Sequence, residues 1–279
     1  MKHYPVLFKW LIIIFTLGAI ALQWRTNPVA SPHFVWEVHQ VYLLPFLETK
    51  YLYWYLHLFA LLCVVPMSFE RRVHYYTYWK ALFPALVMMA VVFLAWDSYK
   101  TYIGVWAFNP DHYTFLIGNL PVEEWFFFIT FPFASIFIYE SLIYYFPKDP
   151  LAVIEPYITP ILASFFIIIG IFYWQHTYTA TTFLACGGFL WYHYLYITPR
   201  YRSQFYLGLL VGYIPFLIVN GALTGAFTHQ PAVVYNPDEY LGIRFVSIPL
   251  DDFAYNFILQ FSVISLYEYF KVRGKLRRI

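Results

Sequence analysis

The sequence predicts an all-α integral membrane protein with about eight transmembrane helices. Three observations carry this reading. Of 279 residues, 61% are hydrophobic and only 11% charged, against about 25% charged in a typical soluble domain. Mean hydropathy is +0.58. Apolar runs long enough to span a bilayer, roughly 20 residues each, recur along the whole chain, and the cations between them are unevenly shared.

The runs can be justified in order. Segment 5–24 follows Met1-Lys2-His3 and has no small-residue cleavage site after it, so it reads as a retained helix rather than a signal peptide. Segments 50–68 and 79–96 flank the basic "ERR" of 70–72. Segment 120–146 begins at "PVEE" and ends at "FPKDP". Segments 153–173 and 178–197 follow, the second closed by "ITPRYR". Segment 204–222 precedes a long polar connection, and 247–270 begins at "PLDD" and ends in a basic tail. Prolines punctuate these boundaries.

Eight spans put both termini on one side. That side collects thirteen cations: Lys2, Lys9, Arg71, Arg72, Lys80, Lys148, Arg200, Arg202, Lys271, Arg273, Lys275, Arg277 and Arg278. The other side has four: Arg25, Lys50, Lys100 and Arg244. The positive-inside rule then places both termini in the cytoplasm of a multi-pass protein of the cell (inner) membrane.

The chain also repeats itself. "FNPDHY" (108–113) matches "YNPDEY" (235–240), "PVEE" (121–124) matches "PLDD" (249–252), and Tyr139-Glu140 matches Tyr267-Glu268. Pro121 to Glu140 and Pro249 to Glu268 are both 19 residues. Upstream, "FLAWD" (93–97) aligns with "FLIVN" (216–220). The organisation is thus an extra N-terminal helix and loop (1–49), a three-helix repeat (50–146), a linking helix (147–177), and a second repeat with a basic tail (178–279). Corresponding helices lie an even number of spans apart, so the repeats run parallel, and both acid pairs can converge on one cavity from the same side.

Acids in a helix's first turn complement its dipole, and proline suits that turn. A start signal, however, needs neither two acids nor an upstream Asn-Pro-Asp, and here both occur twice. Glu123, Glu124, Asp251 and Asp252 border an apolar medium. Desolvation and a neighbouring like charge both favour a protonated carboxyl, which makes a strong general acid. Such an acid in a dry aromatic cavity can protonate an alkene. Ring faces then stabilise the cation, by about 0.5–2 kcal/mol each, and the lack of water protects it. Aromatics make up 24% of the chain, most of them explicable as interfacial belts and apolar filling.

The stretch "VNGALTGAFTHQPAVVYNPDEYLGIRFVSIPLDDFAYNF" (219–257) resembles the second half of the small membrane lycopene cyclases. "FLAWDSYKTYIGVWAFNPDHYTFLIGNLPVEEWFFF" (93–128) is similar to the other half. The matching features are Asp97, Gly104-Val105-Trp106, Pro121 with Glu123-Glu124, Asn220, Tyr235-Asn236, Leu241 to Arg244, and Pro249 with its acids. Together they cover roughly residues 50–270. The resemblance implies protonation of an acyclic lycopene end, ring closure and proton loss to give a β-end; repeated at both ends, this yields β-carotene. The sum is an isomerisation and requires no redox cofactor. The second pair departs from the family's usual Glu-Asp, reading Asp251-Asp252, and the 5–24 helix lies outside the pattern. Other carotenoid or isoprenoid polyenes therefore stay open as substrates.

Further candidates support the acids. Asp97 and Asn220 share a repeat position and could orient the acids, accept the departing proton, or cap a helix. Trp106, Trp125 and Tyr255 are candidate substrate-binding rings. Arg244 could pair with an acid or hold a loop carbonyl; the second is favoured, because pairing would oppose alkene protonation. Glu140 and Glu268 lie about 24 Å along a helix from the acids, too far to act on the same bond. Cys63 and Cys186 read as buried hydrophobes, and the nine histidines show no ligand spacing. No metal site, dinucleotide fingerprint, P-loop or nucleic-acid role is expected. The implied partners are the bilayer, a lipophilic polyene and, as candidates, other carotenoid enzymes or a second copy of the chain. A prenyltransferase needs cations for a diphosphate, and the acid side has few. A transporter suits repeats and membrane acids, but it places its site on broken helices near the midplane.

Overall fold

A computed structural model describes residues 34, 39–197 and 201–274. They form seven helices: α1 (Leu52–Met67), α2 (Trp79–Tyr102), α3 (Val122–Tyr145), α4 (Glu155–Phe172), α5 (Thr177–Tyr192), α6 (Tyr201–Leu223) and α7 (Leu250–Arg273). They follow the seven apolar runs from 50 onward; a π-helical turn, His193–Ile197, completes the run that holds α5. The expected helix at 5–24 lies outside the described residues. Four helical stretches, Tyr75–Tyr102, α3, α4 and α6, are long and apolar enough to cross a membrane, and α1 is shorter. Among the described residues, four of the eight expected spans are thus supported by length and composition.

The all-α expectation also needs one correction. Six short strands pair antiparallel in the connections: β1 (Trp106–Phe108) with β4 (Val233–Tyr235), β2 (Leu116–Ile117) with β3 (Leu120–Pro121), and β5 (Arg244–Phe245) with β6 (Ile248–Pro249). Long connections above a bundle bury backbone, and buried N–H and C=O groups need partners. Strand pairing supplies them.

The β1–β4 pairing joins the two halves of the chain. Trp106 faces Tyr235, Ala107 faces Val234, and Phe108 faces Val233. Since 106–108 and 233–235 hold the same place in the repeat, the pairing is self-complementary about the Ala107–Val234 pair, the signature of an approximate two-fold. The flanking bonds obey it too. Asn109 N–H donates to Ala232 O and Asn236 N–H to Val105 O. Asn109 Nδ2 donates to Pro231 O, and Asn236 Nδ2 to Gly104 O. Each Asn Oδ1 accepts the N–H of the aspartate two residues on. The repeated Asn-Pro-Asp is thus a clasp between the halves.

The opposite end of the bundle is clasped the same way. Tyr139 OH donates to Glu268 Oε1, and Tyr267 OH donates to Glu140 Oε1, each at 2.9 Å. Lys271 forms an ion pair with Glu140. Between the clasps, α3 packs on α6 and α7 on α2, an exchanged pair of contacts. The linking helix α4 packs along α5 and is tied to α6 by Glu155–Arg202 and Thr159–Tyr206 bonds.

Each acid-bearing helix starts from a two-residue turn between paired strands, with Pro121 or Pro249 immediately before its first residue. The first turn needs positive φ at Gly118 (69°) and at the equivalent Val246 (60°). A β-branched residue there is strained by about 1–2 kcal/mol. Val246→Gly is therefore expected to raise stability by about 1 kcal/mol, read as a higher melting temperature in detergent. Asn236→Ala breaks the clasp and is expected to cost about 1–3 kcal/mol in the same assay.

Candidate active site

Adjacent helical residues point about 100° apart. The two acids of each pair therefore cannot do the same thing, and the structure separates them. Glu123 turns back to its own loop, and Asp251 to its own loop and to α5. Glu123 Oε1 accepts from Thr114 N–H at 2.9 Å and from Thr114 Oγ1 at 2.6 Å. Asp251 accepts from the equivalent Leu241 N–H and from Thr179 Oγ1. Neither lines the central cavity; Glu124 and Asp252 both do.

That cavity measures about 340 Å³. Its acid end holds Glu124, Asp252, Asp97 and Asn220 beneath the β1–β4 clasp. Asp252 is held by three donors: Tyr178 OH, Tyr235 OH and Asn220 Nδ2, each at 2.7 Å. Such a set satisfies a carboxylate. Tyr235 lies in the strand outside the helices, where burial pushes its hydroxyl well above the usual phenol range and keeps it a donor. Glu124 has a different shell. The Tyr53 hydroxyl faces it, and the carboxyl of Asp97 is close enough to feel its charge. Trp106 also lies within reach of Asp97. The repeat position that supplies an amide to one acid thus supplies a second carboxyl to the other. Asp97 and Asn220 lie inside α2 and α6, so neither caps a helix.

Aromatic rings wall this end. Trp106 stands edge-on to Tyr178 (centroids 5.0 Å) and Tyr255 (6.2 Å), and Tyr178 stacks on Tyr235 at 6.0 Å. Phe127 and Phe128 complete the wall. Trp106 and Tyr255 are thus brought to the acids. Trp125 is not: it is 40% exposed on the outside of α3. Arg244 lies behind the wall, with its guanidinium on Ser247 O and over the rings of Tyr235 and Tyr240.

Sequence reasoning missed Tyr53 and Tyr178, which hold equivalent places in α1 and α5, and the role of the Tyr235 hydroxyl. Extending the repeat upstream of residue 93 would have paired the first two. It also missed the buried Lys100, which donates to Thr177 O and Thr181 Oγ1 near Glu239 and Asp251. Among the described residues no group of three or more His, Cys, Asp or Glu is placed to hold a metal.

Fold and site define a class: a helical membrane protein whose paired repeats bring carboxyl groups to one end of a greasy, ring-lined cavity. The chain belongs to the lycopene cyclase family, whose model matches it twice, over residues 50–142 and 175–270, more than half its length. No curated protein and no solved structure matches it.

The separation of the acids can be tested on stability alone. Glu123→Gln keeps an oxygen for Thr114, whereas Glu123→Ala removes it. Melting in detergent is expected to show a loss of about 1–3 kcal/mol for the alanine variant and a clearly smaller loss for glutamine.

Proposed function

We propose that this protein cyclises the acyclic ends of a carotenoid, converting lycopene to β-carotene by proton-initiated, redox-neutral isomerisation. The observation that supports this reading is the convergence of Glu124 and Asp252, from different repeats, on one apolar cavity.

The chemistry divides between the two shells. Asp97 and Glu124 are neighbouring carboxyls away from water, so one shared proton relieves their repulsion. That proton is delivered to the terminal double bond of the polyene and leaves a tertiary cation. The next double bond supplies the electron pair that closes the six-membered ring and moves the cation onto the ring. The faces of Trp106, Tyr178, Tyr235 and Tyr255 stabilise it. Asp252, kept ionised by its three donors, offsets the charge and takes the ring proton. One proton enters and one leaves, so no electron acceptor is needed. Glu123 and Asp251 hold the loops that seat their neighbours. Trp125, on the outer face, has no part in the step. The protein is a multi-pass protein of the cell membrane with its acid end away from the cytoplasm.

Expression in cells that accumulate lycopene, followed by pigment chromatography, tests the assignment: β-rings are expected, and unchanged lycopene overturns it. Glu124→Gln and Asp252→Asn are expected to lower ring formation by about 10²–10⁴-fold with normal membrane insertion, while Glu123→Gln stays near wild type. In deuterated water each ring formed is expected to carry one added deuterium, read by mass spectrometry; a product without it rules out protonation by an exchangeable acid.

A further inference from the structure

The repeats are nearly equivalent, yet the cavity they enclose is not. α2 contributes only Asp97 to its lining and α5 only Tyr178; the body of the wall comes from α1, α3, α6 and α7. On the α5 side the interior is solid: Cys186 bonds Ala254 O, and Phe205, Phe257, Phe261 and His193 interlock. The α1 side differs. α1 and α6 meet at the acid end through Leu52, Tyr53, Leu56, Val219, Ala222 and Leu223. Below that contact both helices still line the cavity, and lining side chains of α1 reach the outer surface: Phe59 is 45% and Met67 53% exposed. Gly212 of α6 lines the same stretch, and a Cβ built on it meets nothing within 4 Å.

The cavity is also long and has its acids at one end only. From Asp252 to Ile264 it follows α7 for about 18 Å, and from Glu124 to Ile138 it follows α3 for about 21 Å. Beyond the far end lies the buried Tyr139–Glu268 and Tyr267–Glu140 clasp with Lys271. Among the described residues no buried carboxyl lines that end to serve a second ring closure.

We propose that the two repeats build a single end-group site, entered sideways from the bilayer through a slot between α1 and α6 beside Gly212. A polyene is then cyclised one end per binding event. The inference rests on the cyclase reading above. One half of the chain lies in the tunnel with its end at Glu124 and Asp252; the other half stays in the slot and the lipid. With the acids at one end only, the monocyclic product must back out, reverse and re-enter.

Proteoliposomes holding the full chain and lycopene test both parts. Gly212→Trp fills the slot without touching an acid. Gly188→Trp is its control, since Gly188 lies exposed on α5 with open space around it and off the cavity. Ring formation is expected to fall at least tenfold in Gly212→Trp and to stay near wild type in Gly188→Trp, with both melting as wild type does. Equal rates for two folded variants overturn the slot. In the second arm, wild type receives isotopically labelled lycopene and an excess of unlabelled monocyclic carotene. Labelled monocyclic carotene is expected to accumulate at the expense of labelled bicyclic product; labelled lycopene that passes to bicyclic product with no labelled monocyclic carotene means that both ends are closed in one visit and overturns the single-end site. Wild type that makes no rings at all defeats the cyclase reading itself, an outcome distinct from either.

Discussion

The structure depends on one short backbone pairing, that of residues 106–108 with 233–235. A bilayer gives apolar helices little reason to choose one partner over another, since lipid is as apolar as any side chain. Directional bonds must make that choice. The antiparallel register about Ala107 and Val234 fixes one half of the chain against the other. The amides of Asn109 and Asn236 lock it by reaching across to Pro231 O and Gly104 O. Everything at the acid end is measured from this clasp, because Trp106 and Tyr235, which touch the acid shells, are its terminal pair.

A second constraint is the cost of burying charge. The chain places Lys100, Glu140, Glu155, Arg202 and Lys271 inside, along with the acid pairs. Each is given partners, because an isolated ion in such a medium is prohibitively costly. The partners differ by place. Glu140 and Lys271 neutralise one another and serve as a lock. Glu123 and Asp251 are held by loop N–H groups and by the hydroxyls of Thr114 and of Thr179 in α5. Compensation is incomplete at Glu123 Oε2, which does not line the cavity, and at Asp97 Oδ2, whose residue does. Incomplete satisfaction beside an apolar cavity is where a polar group is free to act on something else.

Internal duplication explains how such a site arises and why it is asymmetric. Two equal repeats would give two equal acid shells. Here one position reads Asp97 in the first half and Asn220 in the second, and another reads Phe108 against Tyr235. Those two changes turn a symmetric pair of acids into one carboxyl beside another carboxyl and one carboxyl surrounded by donors. The same drift fills the interior on the α5 side with Phe205, Phe257 and Phe261 and leaves the α1 side open.

The sequence by itself determined the membrane class, seven of the helical segments to within about six residues, the duplication, and the stretch of chain that carries the acids. These are local properties: hydropathy over a span, proline at a boundary, a motif at fixed spacing. Tertiary structure alone decided which acid of each pair faces the cavity. Neighbouring residues diverge by about 100° on a helix, and only the packing of α3 and α7 says which direction is inward. It also decided that Tyr53, Tyr178 and Tyr235, three among 28 tyrosines, belong to the site while Trp125 does not. A hydroxyl's partner lies across the fold, on another helix, and no local pattern records it.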